Sequence, residues 1–149
     1  MRVAVVGAGS WGSAFACLLR DRGHDVTLAG RDPEQIAVIR ETGRNPRYAH
    51  DADLGGIAAA AIEDARVGSA ELVVVAVPSS VFGDVVPGLP GDAPVLILTK
   101  GLDPSTGERL STLVTGRPVA VLSGPNIAEE IARGLPAAAV VASADLALA

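Results

Sequence analysis

Aromatic side chains are scarce in this chain: one Trp, one Tyr and two Phe make up 3% of 149 residues. A core built round large rings is excluded, so the apolar packing must come from Val, Ala, Leu and Ile. Cysteine is nearly absent. With one copy, Cys17, no internal disulfide can form, and the count fits a reducing compartment. Inside an apolar helical run, Cys17 reads as a small core residue rather than a reactive thiol. Basic residues are in deficit, 12 against 17 acidic, for a formal net charge of −5. A nucleic-acid binder needs a basic face, so no nucleic-acid partner is expected. No apolar run approaches the ~20 residues that cross a bilayer, so no membrane partner is expected either. The chain enters a strand pattern at once, without the look of a signal peptide, and a cytoplasmic location is expected.

What the chain does have is aliphatic bulk, with 49% hydrophobic residues in a length that suits one domain. Strands buried on both faces of a parallel sheet read this way. The most informative stretch is the first. Arg2–Val6 is an apolar strand that runs into Gly7-Ala8-Gly9-Ser10-Trp11-Gly12, and an amphipathic helix follows. This G-x-G-x-x-G stands where a dinucleotide-binding βαβ unit requires it. Gly7 allows the tight turn, Gly9 lets the backbone approach a pyrophosphate, and Gly12 lets the helix pack on the sheet. The helix then offers its free N–H groups and positive dipole end to phosphates. The plainer reading is a Gly-rich structural turn that binds nothing.

Alternation continues along the chain. A first helix is expected over Trp11–Arg22, ended by Gly23, and a second strand over His24–Ala29. Asp32 caps a helix with Pro33 at its first position and Gln35 completing a capping box, and Gly43 closes it. Arg44–Gly56 is polar and reads as a flexible loop. Strands are expected at Ile57–Ala61, Leu72–Val77, Val95–Leu98, Val119–Leu122 and Ala137–Ala142. Helices are expected at Ile62–Val67, Ser79–Val86, Gly107–Val114 and Ile127–Arg133. This order predicts an α/β fold, a doubly wound and mostly parallel sheet of Rossmann type. Ser143–Ala149 reads as a helix cap and first turn, which suggests a piece of a longer protein.

The cofactor follows from the second strand. In NAD-binding folds an acidic residue at its end takes the ribose 2′-hydroxyl. Here Ala29 and Gly30 occupy that place and Arg31 comes next. A guanidinium suits a 2′-phosphate, so NADP or NAD is expected, with NADPH favoured. Asp32 reads first as a helix cap, and Trp11 packs over the dinucleotide or over the domain's own loops. No metal ligand set stands out.

Three further strand ends carry marked sequences: Val77-Pro78-Ser79-Ser80, Thr99-Lys100-Gly101-Leu102-Asp103 and Ser123-Gly124-Pro125-Asn126-Ile127-Ala128. Ligands gather at the carboxyl ends of strands in such folds, so these segments should converge on the nicotinamide half of the site. Lys100 suits a phosphate or a carbonyl oxygen. Gly124–Ala128 leads into a helix N-terminus.

Together with GAGSWGSAFA, GRDPE, Asn45-Pro46-Arg47-Tyr48, TGERLS and SGPNIAEEIARGLPAA, these segments resemble the bacterial-type NAD(P)-dependent glycerol-3-phosphate dehydrogenases over essentially the whole chain. Asn126 stands where that family usually carries Ser, Thr or a similar residue. The resemblance implies reduction of dihydroxyacetone phosphate to sn-glycerol 3-phosphate for phospholipid synthesis. It implies that Ser10, Trp11, Arg31 and Tyr48 contact NADPH and that Lys100 touches cofactor and substrate. Gly124 and Asn126 would line the substrate site, and Ala128 would touch the cofactor. It also implies a following helical domain that holds the proton-donor lysine, so residues 1–149 are the cofactor domain and no catalytic residue is assigned within them. Other readings are a ketopantoate or 6-phosphogluconate type of reductase, or a stand-alone nucleotide-binding module. A face left for the helical domain would be apolar, so homodimerisation is expected.

Overall fold

Five residues, β1 (Arg2–Val6), form the axis of the molecule, and all but Arg2 are buried. The structure, a computed structural model, describes residues 1–149. β1 pairs in parallel with β2 (Asp25–Gly30) on one side and β4 (Leu72–Val75) on the other, with Val5 opposite both Leu28 and Val74. β3 (Ala58–Ala61) lies outside β2, and β5 (Val95–Ile97) and β6 (Val119–Ser123) continue beyond β4. The seventh strand, β7 (Val140–Ser143), closes the sheet, giving the order β3-β2-β1-β4-β5-β6-β7. The expected doubly wound sheet is therefore present. Its order reverses between β1 and β4, where such sheets open a crevice.

Side-chain alternation divides the core into two. Val3 and Val5 point to one face, where α1 (Ser10–Asp21) and α2 (Pro33–Thr42) add Phe15, Leu19, Ile36 and Ile39. Ala4 and Val6 point to the other, where α3 (Ser79–Val85) contributes the fully buried Phe82. α2 begins as the sequence implies. Asp32 Oδ1 accepts the N–H groups of Glu34 and Gln35 at 3.0 and 3.3 Å, Pro33 opens the helix, and Gly43 ends it at φ +65°. Gln35 departs from expectation: its buried side chain turns away from the cap to the carbonyl of Ala8.

Other differences have local causes. β7 runs antiparallel to β6 and begins at Val140 rather than Ala137. The connecting helix, α4 (Ala128–Ala132), has five residues and packs against α1. It advances the chain about 7 Å, whereas a five-residue strand is about 16 Å long. The helix alone therefore does not return the chain to the start of β6, and β7 enters with Val140 opposite Ser123, at the end where β6 leaves. Ile62–Val67 is not a helix. Asp64 and Ala65 N–H close a turn on the Ala61 carbonyl, and a 3₁₀ turn follows at Val67–Ser69. Gly107–Val114 is likewise a bridge between Leu102 and Arg109 followed by a 3₁₀ turn at Leu110–Leu113. Upstream, Asp103 accepts from Ser105 and Thr106 and takes the Gly107 N–H on its carbonyl, so the backbone is satisfied without a helix. β4 stops at Val75, two residues short of the expected end. The Ser143–Ala149 segment is a turn held on Asp145.

The expected loop Arg44–Gly56 has no regular secondary structure, but it is packed. Asn45, Ala52 and Leu54 are at most 2% exposed. Arg20 Nη1 reaches across to the carbonyls of Asp53 and Gly55 at 2.5 and 2.6 Å. Cys17 lies beneath, its Sγ 3.2 Å from the Asp53 carbonyl, and burial pushes its thiol pKa up, as befits a core residue. No helix is long and apolar enough to cross a membrane.

Candidate functional site

The crevice at the β1/β4 switch point is a cleft of about 640 Å³, and its floor is the glycine turn. The three glycines have different physical reasons. Gly7 has φ +118°, and a Cβ there would lie 2.6 Å from the Ala76 carbonyl oxygen on the strand end beyond β4, so only glycine fits. A Cβ on Gly12 would collide with the Gly7 carbonyl, so this glycine lets α1 sit directly on the turn. Gly9 has an ordinary φ of −83°, and a Cβ there would meet no atom within 4 Å. The fold does not need a glycine at this position, yet the space beside it opens on the cleft.

α1 starts at this point without a side-chain cap and with no acidic residue in its first turn. Its first internal bond runs from Ser13 N–H to the Gly9 carbonyl, 2.9 Å. The N–H groups of Ser10, Trp11 and Gly12 thus have no partner in the protein, and the helix dipole is directed into the cleft. A twelve-residue helix with an uncapped start and a vacated side-chain position fits the diphosphate of a dinucleotide.

One end of the cleft gathers guanidinium groups. Gly30 ends β2, and a Cβ there would meet Ile36 Cδ1 at 2.9 Å and Ala8 Cβ at 3.1 Å, which leaves no room for the carboxylate of an NAD-type site. Arg31 follows on the cleft wall, exposed and without a protein partner. Asp32 is next, and both its oxygens are engaged: Oδ1 caps α2, and Oδ2 meets Arg47 Nη1 at 2.5 Å. The Gln35 N–H, followed by that of Glu34 and the Arg47 guanidinium, holds the Asp32 carboxyl below its ordinary pKa.

Arg47 and Tyr48 also line the cleft, and Asn45 places them there. Asn45 is 2% exposed. Its Oδ1 accepts from Gln35 Nε2, Arg47 N–H and Tyr48 N–H at 3.0, 3.1 and 3.2 Å. Its Nδ2 donates to the Ala8 carbonyl and to Ser13 Oγ at 3.0 and 2.9 Å. One amide therefore ties the glycine turn, α1, α2 and the Asn45–Tyr48 segment together. In the sequence, the Asn-Pro-Arg-Tyr string points to Tyr48 alone, and Asn45 and Arg47 are found only in the structure. No local signal marks Arg47, since Arg40 and Arg44 stand nearer to Arg31 in the chain, whereas Asn45 is a polar residue just past a helix-ending glycine.

The other end of the cleft holds Lys100, the only lysine of the chain, and Asn126. Lys100 Nζ lies 3.4 Å from the Gly124 carbonyl and 3.3 Å from that of Asn126, so it bridges the ends of β5 and β6. Asn126 Nδ2 donates to the Ala138 carbonyl at 2.8 Å, while its buried Oδ1 has no partner. Trp11 stands edge-on to Phe15 at 5.6 Å, and its buried Nε1 is also unpaired. Gly12, Gly124 and Ala128 lie off the cleft wall. Gly12 sits behind the turn, Gly124 reaches the site through its carbonyl, and Ala128 opens α4.

A family model described as NAD-dependent glycerol-3-phosphate dehydrogenase N-terminus matches residues 2–149. Glycerol-3-phosphate dehydrogenase [NAD(P)+] of Nocardia farcinica is 44% identical, aligned over 99% of this chain and 48% of its own. That of Moorella thermoacetica is also 44% identical, over 96% of this chain and 45% of its own. Among solved structures, glycerol-3-phosphate dehydrogenase from Coxiella burnetii superposes with a TM-score of 0.89 at 29% identity, covering 99% of this chain and 48% of that one. A ketopantoate reductase from Ralstonia eutropha superposes less well, with a TM-score of 0.62 at 25% identity over 83% of this chain and 41% of that one. The chain spans about half the length of the curated relatives it matches. With the glycine turn, the switch-point cleft and residues 2–149 all in agreement, the chain belongs to the NAD-dependent glycerol-3-phosphate dehydrogenase family and matches its N-terminal part.

Proposed function

We propose that this chain is the cofactor-binding half of an NAD(P)H-dependent reductase that converts dihydroxyacetone phosphate to sn-glycerol 3-phosphate, with NADPH favoured. The observation that carries the reading is Gly9, a glycine that the fold does not require, facing open space at an uncapped helix start. The diphosphate lies across the N–H groups of Ser10 and Trp11, with Gly12 behind them letting α1 sit on the turn, and Arg31 takes the 2′-phosphate. Tyr48 borders the adenosine side. When bound, the nicotinamide supplies the hydride. Lys100, fixed by two carbonyls at the ends of β5 and β6, orients the substrate's oxygens beside the ring. Gly124 and Asn126 border the substrate, and Ala128 approaches the cofactor. The proton donor is a lysine outside residues 1–149, in a helical domain that follows them. The protein works in the cytoplasm and feeds glycerophospholipid synthesis.

Calorimetric titration of the chain with NADPH and NADH, repeated on Arg31→Ala, tests the cofactor assignment. Binding of NADPH that Arg31→Ala weakens about tenfold, with NADH little changed, is expected. Failure of both nucleotides to bind would return the glycine turn to a purely structural role. For the substrate, NADPH oxidation by the full-length protein should proceed with dihydroxyacetone phosphate and not with ketopantoate. Ile127, Leu135 and Val140 expose 53, 50 and 68% of their surface near α4 and β7, which supports self-association of the isolated chain. A monomeric mass in light scattering at high concentration would refute that part.

A further inference from the structure

We propose that Arg47 is a second selector of the adenosine 2′-phosphate, acting beside Arg31, and that its ion pair with Asp32 lets this site accept a phosphate. The inference rests on the dinucleotide reading of the cleft. Asp32 lies two residues past the end of β2, close to where NAD-selective sites hold a carboxylate for the ribose 2′-hydroxyl. A free carboxylate there would repel a 2′-phosphate. In this structure it is not free: Oδ1 is consumed by the cap of α2, and Oδ2 is neutralised by Arg47 at 2.5 Å.

Arg47 is built for the task. Its backbone N–H is held by the buried Asn45 Oδ1 at 3.1 Å, so the root of the side chain is fixed. The side chain itself is 52% exposed and lines the same cleft as Arg31. One Nη engages Asp32, while Nε and the other Nη have no partner in the protein. A guanidinium has a planar fork of donors that matches a phosphate, so Arg47 can keep Asp32 and still bind the ligand. An adenosine without the 2′-phosphate gains nothing from this pair of arginines.

The experiment is calorimetric titration of the chain with four probes: adenosine 2′,5′-bisphosphate, adenosine 5′-monophosphate, NADPH and NADH. The proteins are wild type, Arg47→Ala, Asp32→Asn and the double variant. Asn retains the helix-capping oxygen, so Asp32→Asn removes charge while keeping α2 intact. Arg47→Ala should weaken the bisphosphate and NADPH about tenfold or more and leave the other two probes within about twofold. The double variant should recover part of that loss, because the unmasked carboxylate is gone. Equal weakening of all four probes by Arg47→Ala would show that Arg47 only supports the segment, and would overturn the proposal. So would an unchanged ratio between the 2′-phosphorylated and plain probes, while the dinucleotide reading would stand. If wild type binds none of the four, the dinucleotide reading itself falls, and this inference with it.

Discussion

Replacing Asn45 with Ala removes five hydrogen bonds from a position that is 2% exposed. The Ala8 carbonyl keeps a second donor, Gln35 Nε2 at 2.9 Å, so it is not orphaned. The N–H groups of Arg47 and Tyr48, on the exposed side of the segment, can turn to water. Ser13 Oγ stays buried with its partner gone. One buried group left unsatisfied costs about 1–3 kcal/mol, and the remaining bonds contribute about 1 kcal/mol each before water compensates. A loss of about 3 kcal/mol is expected, and for a domain of this size it lowers Tm by about 6–12 °C. Differential scanning calorimetry reads this directly. A second effect should accompany it: Arg47 and Tyr48 lose their anchor, so NADPH binding weakens more than the fall in folded fraction explains. A Tm within about 2 °C of wild type, the range of ordinary surface substitutions, would refute the claim that this amide holds the segment to the glycine turn.

Gly9→Val should fold with nearly unchanged Tm, because the new side chain enters open space, yet lose detectable dinucleotide binding by calorimetry. Gly7→Ala should do the reverse first, destabilising the fold by about 2–3 kcal/mol through its φ of +118° and its contact with Ala76, which a urea melt will show. Asp32 has a depressed folded pKa, so its contribution is complete at neutral pH and is lost as pH falls through the folded value. Acid unfolding followed by circular dichroism should therefore begin below about pH 4, and Asp32→Asn should flatten that limb. An unchanged acid limb in the variant would remove Asp32 from the explanation.

The parts of the fold read best from sequence are those decided by neighbours in the chain. Arg2–Val6 is apolar at every position after the first, and the glycine spacing after it has few structural meanings, so β1, the turn and α1 follow. The Asp32-Pro33 start and Gly43 stop of α2 are equally local. Reading failed where bonds from distant residues decide. Arg44–Gly56 looks polar and mobile, but Asn45 is polar because it bonds to Ala8 and Ser13, 37 and 32 positions away. Gln35 fits a capping box by spacing, yet the same buried network captures its amide. Gly107–Val114 has an apolar pattern that a helix shares with a 3₁₀ turn, and the Asp103 turn before it settles the matter. In the site, Arg31 and Lys100 were legible because each follows a strand end. Arg47 was not, because only the fold brings it to Asp32.

The reversal of β7 has a practical geometric consequence. Ser143 pairs with Ala120 and donates through Oγ to the Val119 carbonyl at 2.7 Å, so β7 finishes beside the beginning of β6. The cleft lies at the opposite rim, where the parallel strands end. A fluorescent reporter attached at Leu146, 86% exposed in the turn after β7, would therefore sit at the rim remote from the nucleotide, and the cleft mouth would stay clear. Arg2, at the start of β1, lies on that same remote rim, opposite Asp25, so a label there also leaves the mouth open. Positions 2 and 146 are therefore handles for immobilisation that do not compete with ligand entry.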